Sequence, residues 1–163
     1  MIRKLTCLFL SLTASCGNPS LSPVVFIDRD FGARLPEVVA GVDAWAPAGA
    51  SPSVLVVSHA DALASDAPNT VAIVVTDFLQ SDGSPGHTEH SQGHATIGID
   101  MNSDRIEPFR GLIAHEMGHA FGLSHVNDAT QLMHHTVMVS APACGDYRQL
   151  HMVKPESLIP PGC

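Results

Sequence analysis

Basic residues are scarce in this chain: eight Lys and Arg stand against sixteen Asp and Glu over 163 residues, a formal charge of −8. Arg3 and Lys4 fall in a segment expected to be removed, which leaves six basic residues against the sixteen acidic ones. A surface this acidic excludes nucleic acid as a partner, because a phosphate backbone selects Lys and Arg. It also excludes a polybasic membrane anchor. Long hydrophobic runs are missing too. The most apolar stretch, residues 5–12, is far shorter than the roughly 20 residues a membrane-spanning helix needs. Cysteine is sparse, four residues with no C-x-x-C spacing, which excludes a cysteine-built zinc site. Internal repeats are absent. What remains is one domain, long enough to bury a real core and expected to act as a monomer.

The first thing present is an export signal over residues 1–15: a basic start with Arg3 and Lys4, then the short apolar segment. Leu12-Thr13-Ala14-Ser15-Cys16 resembles a bacterial lipobox, in which cleavage frees a cysteine to receive lipid. Cys16 is therefore the lipidation candidate, residues 16–23 a short tether and residues 24–163 the domain. On this reading the protein is exported and held to the cell envelope, at the outer membrane or cell surface, by lipid alone. Plain cleavage near Ala14 or Ser15 gives a secreted protein instead. Cys7 leaves with the signal. Cys144 and Cys163 remain, and an oxidising compartment makes a disulfide between them the expected state.

Along the domain, the β-branched run 24–27 reads as a first strand. Val38, Val39, Val42 and Trp45 recur at helical spacing between Pro36 and Pro47, so residues 36–45 read as an amphipathic helix with Trp45 in the core. Residues 53–58 and 70–76 are continuous apolar runs, expected as strands covered on both faces. Residues 77–93 read as a polar loop, whose His87 and His90, with His94 just beyond, are candidates for a second metal. His59 is assigned to structure or surface. Residues 95–99 read as a fourth strand. The series Asp100, Asn102, Asp104 has the opening spacing of a calcium loop. Arg105 stands where that loop needs Gly, and Gly111 where it needs Glu, so the stretch reads as a polar turn, with a non-EF Ca²⁺ site as the alternative. A helix over 108–123 and a closing helix over 147–153 with Leu150 inward complete an α+β fold: a twisted mixed sheet with a right-handed crossover.

The chemistry is concentrated in His115-Glu116-Met117-Gly118-His119-Ala120-Phe121-Gly122-Leu123-Ser124-His125. His115 and His119, four apart on a helix, present both imidazoles on one face. Gly122 can take positive φ and turn the chain back, bringing His125 up as a third ligand. Three protein ligands leave Zn²⁺ an open position for water, the catalytic arrangement. Glu116, beside the first ligand, is placed to take that water's proton.

These residues resemble the metzincin zinc peptidases, and the run 114–125 is most similar to the matrixin branch. The resemblance implies a zincin-type domain with an antiparallel edge strand above the cleft, for which residues 95–99 are the candidate. It implies one catalytic zinc on His115, His119 and His125, with Glu116 as general base. It further implies a methionine turn beneath the metal, filled here by Met133 after Leu132, with Met138 as the weaker candidate. Cys16-Gly17-Asn18-Pro19 has the form of the matrixin propeptide cysteine motif, yet it abuts the apolar segment. The implied activity is hydrolysis of protein or peptide substrates. Two other classes stay open on the residues alone: a zinc-binding surface lipoprotein without chemistry, and a metallo-hydrolase of a non-peptide amide.

Overall fold

A computed structural model describes residues 18–77, 83–136 and 139–163. The signal segment, Cys7, Cys16 and Met138 lie outside them. Five strands form one sheet: β1 (Val24–Asp28), β2 (Ser53–Val57), β3 (Thr70–Thr76), β4 (Gly86–Ser91) and β5 (His94–Asp100). Their order is β2-β1-β3-β5-β4. All neighbours run parallel except β4, which is antiparallel to β5. Four helices accompany the sheet: α1 (Leu35–Val42), α2 (His59–Leu63), α3 (Phe109–Ala120) and α4 (Cys144–Val153). No helix among the described residues is long and apolar enough to cross a membrane.

Side chains alternate across a strand, so one face of the sheet collects every second residue. Register aligns Ile27 with Ile73 and Ile73 with Ile97. These, with Val25, Val71, Ala95 and Ile99, are fully buried and floor the core. Val38, Val42, Ile113 and Met117, also fully buried, roof it. Trp45 sits inside, its indole N–H donating to the carbonyl of Ala114 at 2.8 Å, which ties the first helical segment to α3. Burying the indole demands such a partner.

Several sequence expectations are corrected. The helix over 36–45 stops at Val42 and continues as a tighter 3₁₀ turn, Asp43–Ala48, with Pro47 inside it. The strand near 53–58 lies at the sheet's edge, so Leu55 and Val56 are about half exposed (49% and 48%) instead of covered on both faces. The polar loop of 77–93 contains a strand, β4, which is polar because it too is an edge. Consequently the antiparallel edge is β4, and the strand expected there, β5, lies one place inside and parallel to β3. The described part of the tether is packed: Leu21 is buried, its carbonyl accepting from Ser51 N–H at 2.9 Å. Asn69 holds Ser20 N–H at 2.8 Å and donates to the carbonyl of Ser22 at 3.1 Å.

Candidate metal centre

The site is built on α3 and the turn that ends it. Glu107 caps the helix, its carboxylate accepting Phe109 N–H at 2.9 Å. That bond, with the Arg34 guanidinium beside it, holds the Glu107 carboxyl below its ordinary value. At the other end the Leu123 N–H reaches back to the Gly118 carbonyl (3.0 Å) and the Gly122 N–H to that of His119 (2.8 Å). This paired closure needs a left-handed residue at its corner, and Gly122 supplies it with φ of 100°. The chain turns back there and carries His125 over His115 and His119.

Each of the two helical histidines is locked by a backbone carbonyl. Nδ1 of His115 donates to Leu132 O at 2.7 Å, and Nδ1 of His119 to Leu123 O at 2.8 Å. With its proton on Nδ1, each neutral ring leaves Nε2 as a bare lone pair. Those two atoms and Nε2 of His125 stand 3.1 Å from one another in all three pairings. Lone pairs facing at that distance repel, and at most His125 brings a proton among them. A cation relieves the repulsion, and the triangle has the right size for one. Its three corners lie about 1.8 Å from their centre, close to but below a zinc–nitrogen bond of about 2.0–2.1 Å, so these three rings would fit a zinc-sized ion. Burial also favours the neutral rings that metals need: it pushes His115 down to about 4, and His119 and His125 below their ordinary value.

Against α3 below the three histidines lies Met133, fully buried. A Cβ on Gly118 would stand 2.4 Å from Met133 Sδ and 3.0 Å from Trp45 Cζ2, so only glycine lets the helix settle on the methionine. The turn bearing Met133 is held by Asp146, which lies fully buried on α4. Its carboxylate accepts the N–H of Leu132 (2.8 Å), Met133 (3.0 Å) and Ala143 (2.7 Å). Leu132 in turn offers its carbonyl to His115. Asp146 thus supports His115 through two links. Sequence reasoning missed it. The signal was an acid four residues before Leu150, on the inward stripe of the closing helix, where a charge needs buried donors.

Glu116 is 4% exposed and turns toward β4, where Oε2 meets the Thr88 hydroxyl at 2.7 Å. Burial pushes its carboxyl up to about 7, against the pull of the Thr88 hydrogen bond. A cation among the histidines would draw it back down. Glu116 and the three histidines line a cleft of about 570 Å³ with Gly86, His87, Leu112, Arg105 and His135 among its walls.

The structure does not bring His87, His90 and His94 together. Both ring nitrogens of His94 are engaged by Thr70 (2.7 Å) and Thr96 (2.9 Å), while His87 and His90 sit at adjacent-parity positions of β4 and point to opposite faces. Among the described residues, the other group with metal-ligand spacing is Asp28, Asp30 and His59, where His59 closes on Asp28 at 2.5 Å. The stretch from Asp100 is a turn, Asp100 accepting Asn102 N–H at 2.8 Å, with no ligand cluster around it among the described residues. Cys144 and Cys163 are joined in a disulfide. His134 and His135 lie beyond the methionine turn with ring centroids 4.0 Å apart and planes tilted by 42°.

No family model matches the sequence. No curated protein matches it either. Among solved structures, the ECX AB5 holotoxin in its GM1-bound form shares 16% identity at a TM-score of 0.43, over 66% of this chain and 55% of that one. Metalloproteinase-II from Bacteroides fragilis shares 13% identity at a TM-score of 0.50, over 84% of this chain and 54% of that one. The chain therefore spans about half the length of the structures it resembles. At such identity the likeness is one of fold, a mixed α+β domain; in this chain His115, His119 and His125 form a group that could hold a metal ion.

Proposed function

We propose that this protein is a zinc-dependent endopeptidase of the metzincin, matrixin-like type. The observation that carries the reading is the equilateral set of Nε2 atoms at 3.1 Å, two of them stripped of protons by backbone carbonyls, with a buried carboxylate adjacent in the same cleft. His115, His119 and His125 would hold a zinc ion, which when bound would supply Lewis acidity at a peptide carbonyl. Glu116 accepts the proton of the attacking water and delivers it to the leaving amine nitrogen. Met133 packs under the histidines and keeps them convergent. The outer edge of β4, which pairs only with β5 among the strands, receives the substrate as an added strand. The likeness in fold to a metalloproteinase supports the same reading.

The same proposal places the protein outside the cytoplasm, as a monomer anchored through lipid on Cys16 and otherwise free of the membrane. The Cys144–Cys163 disulfide supports an oxidising compartment.

Metal analysis paired with digestion of a peptide library, with and without chelator, tests the function. About one zinc per chain and defined, chelator-sensitive cleavage sites are expected. Glu116→Gln should keep the metal and lower kcat by roughly 10²–10⁴-fold. Cleavage at the wild-type rate by that variant, or no peptide cleaved by the zinc-loaded protein, sinks the reading. Palmitate labelling lost in Cys16→Ser tests the anchor; an unlabelled native protein is a secreted one.

A further inference from the structure

The carboxylate of Glu116 has one hydrogen-bonding side chain near it among the described residues, and that side chain belongs to the sheet edge. Thr88 Oγ1 lies 2.7 Å from Glu116 Oε2 and 3.1 Å from the Glu116 carbonyl. Two residues earlier on the same face of β4 stands Gly86. A Cβ there would fall 2.9 Å from Glu116 Oε1 and 3.1 Å from Leu112 Cδ1. The strand therefore offers a gap at Gly86 and a hydroxyl at Thr88, and the carboxylate fills both. The terminal torsion of a glutamate is broad, so burial alone does not fix the plane of the carboxylate. The hydroxyl does: it engages Oε2 and leaves Oε1 over Gly86, on the wall of the cleft.

We propose that Thr88, with Gly86 beside it, is the positioning residue for the general base, so that the strand that receives the peptide also sets the orientation of the group that activates water. The proposal rests on the peptidase reading. It links two distances that catalysis needs together, the depth of the substrate and the reach of Glu116, through one rigid element.

Thr88→Val keeps the shape and removes the hydroxyl; Thr88→Ser keeps the hydroxyl. The valine variant should lose roughly ten- to hundredfold in kcat, with KM and zinc content unchanged. The serine variant should recover most of that loss. Gly86→Ala, which presses on Oε1, should lower kcat in the same direction. A second readout needs neither metal nor turnover: the ¹³C resonance of the Glu116 side-chain carboxyl in the metal-free protein, which should move in Thr88→Val and return in Thr88→Ser. Unchanged kcat in Thr88→Val, or a carboxyl resonance that does not move, overturns the proposal. So does a loss that tracks falling zinc content or melting temperature and is not rescued by serine. If the wild-type protein cleaves no peptide, the peptidase reading fails by itself, and the resonance still decides whether Thr88 holds the carboxylate.

Discussion

His94 opens β5 with its ring buried to 6% exposure and both nitrogens spent on threonine hydroxyls. Burial pushes its pKa below the ordinary 6.5, His90 acts in the same direction, and Asp66 opposes both. The sign of the consequence follows. The folded pKa lies below the unfolded one, so between the two the unfolded chain binds more protons, and stability rises with pH across that window. The contribution is intact above about 6.5 and is lost as pH falls below it. His94→Gln keeps an amide for hydrogen bonding and removes the titration. Its urea midpoint should therefore fall less than that of the wild type between about pH 7.5 and pH 5. Both proteins are compared with metal stripped by chelator, so that the three ligand histidines contribute equally. Equal pH slopes would show that His94 is as easily protonated folded as unfolded.

At the scale of elements, the site depends on α3 meeting the methionine turn, and that turn depends on α4. Asp146 is the joint: one carboxylate satisfies three backbone N–H groups, the two in the turn buried and that of Ala143 half-buried. Asp146→Ala leaves those donors unpaired. A loss of about 2–4 kcal/mol in unfolding free energy is expected, since each orphaned buried group costs about 1–3 kcal/mol and the turn can relax to recover part of it. Zinc affinity should also drop, by roughly 10–100-fold, because the Leu132 carbonyl that orients His115 moves with the turn. Urea unfolding and a competitive chelator titration check the two effects, and a variant unstable but unchanged in zinc affinity would break the link from α4 to the metal. Elements also explain what the sequence could and could not reveal. His115, His119, Gly122 and His125 were legible because their geometry is set within eleven residues, by helix pitch and one turn. Asp146 was not, because its partners lie 13 and 14 residues back and nothing local marks them. β4 was hidden for a different reason: an edge strand has no need of apolar side chains, so Gly86-His87-Thr88-Glu89-His90-Ser91 carries a loop's composition. α2 is five residues long, too short for any periodicity to register.

For the whole molecule, the remaining question is what holds α4, and with it Asp146, against the rest. The tail after α4 crosses back toward the first helical segment: Leu158 N–H donates to the Ala48 carbonyl at 2.8 Å, and the Ser157 carbonyl accepts from His151 at 2.9 Å. Arg148 donates to the Cys163 carbonyl, and the disulfide from Cys163 to Cys144 closes the loop at the first residue of α4. Tyr147 and Leu150 seat α4 in the core, but the Met152, Val153, Leu158 and Ile159 side chains remain exposed, so apolar burial contributes little to keeping the tail in place. The cross-link should therefore supply most of the tail's attachment and add to that of α4, by restricting the unfolded chain over a separation of 19 residues. Loop-closure entropy for that length is worth about 3 kcal/mol. Cys144→Ser with Cys163→Ser should lower the melting temperature by roughly 6–12 °C. Reducing agent should do the same to the wild type and nothing to the double variant. Since a loosened α4 carries Asp146 with it, zinc affinity should fall in the reduced protein as well. An unchanged melting temperature on reduction would mean that the packing of Tyr147 and Leu150 and the polar contacts of the tail suffice to hold α4 without the cross-link.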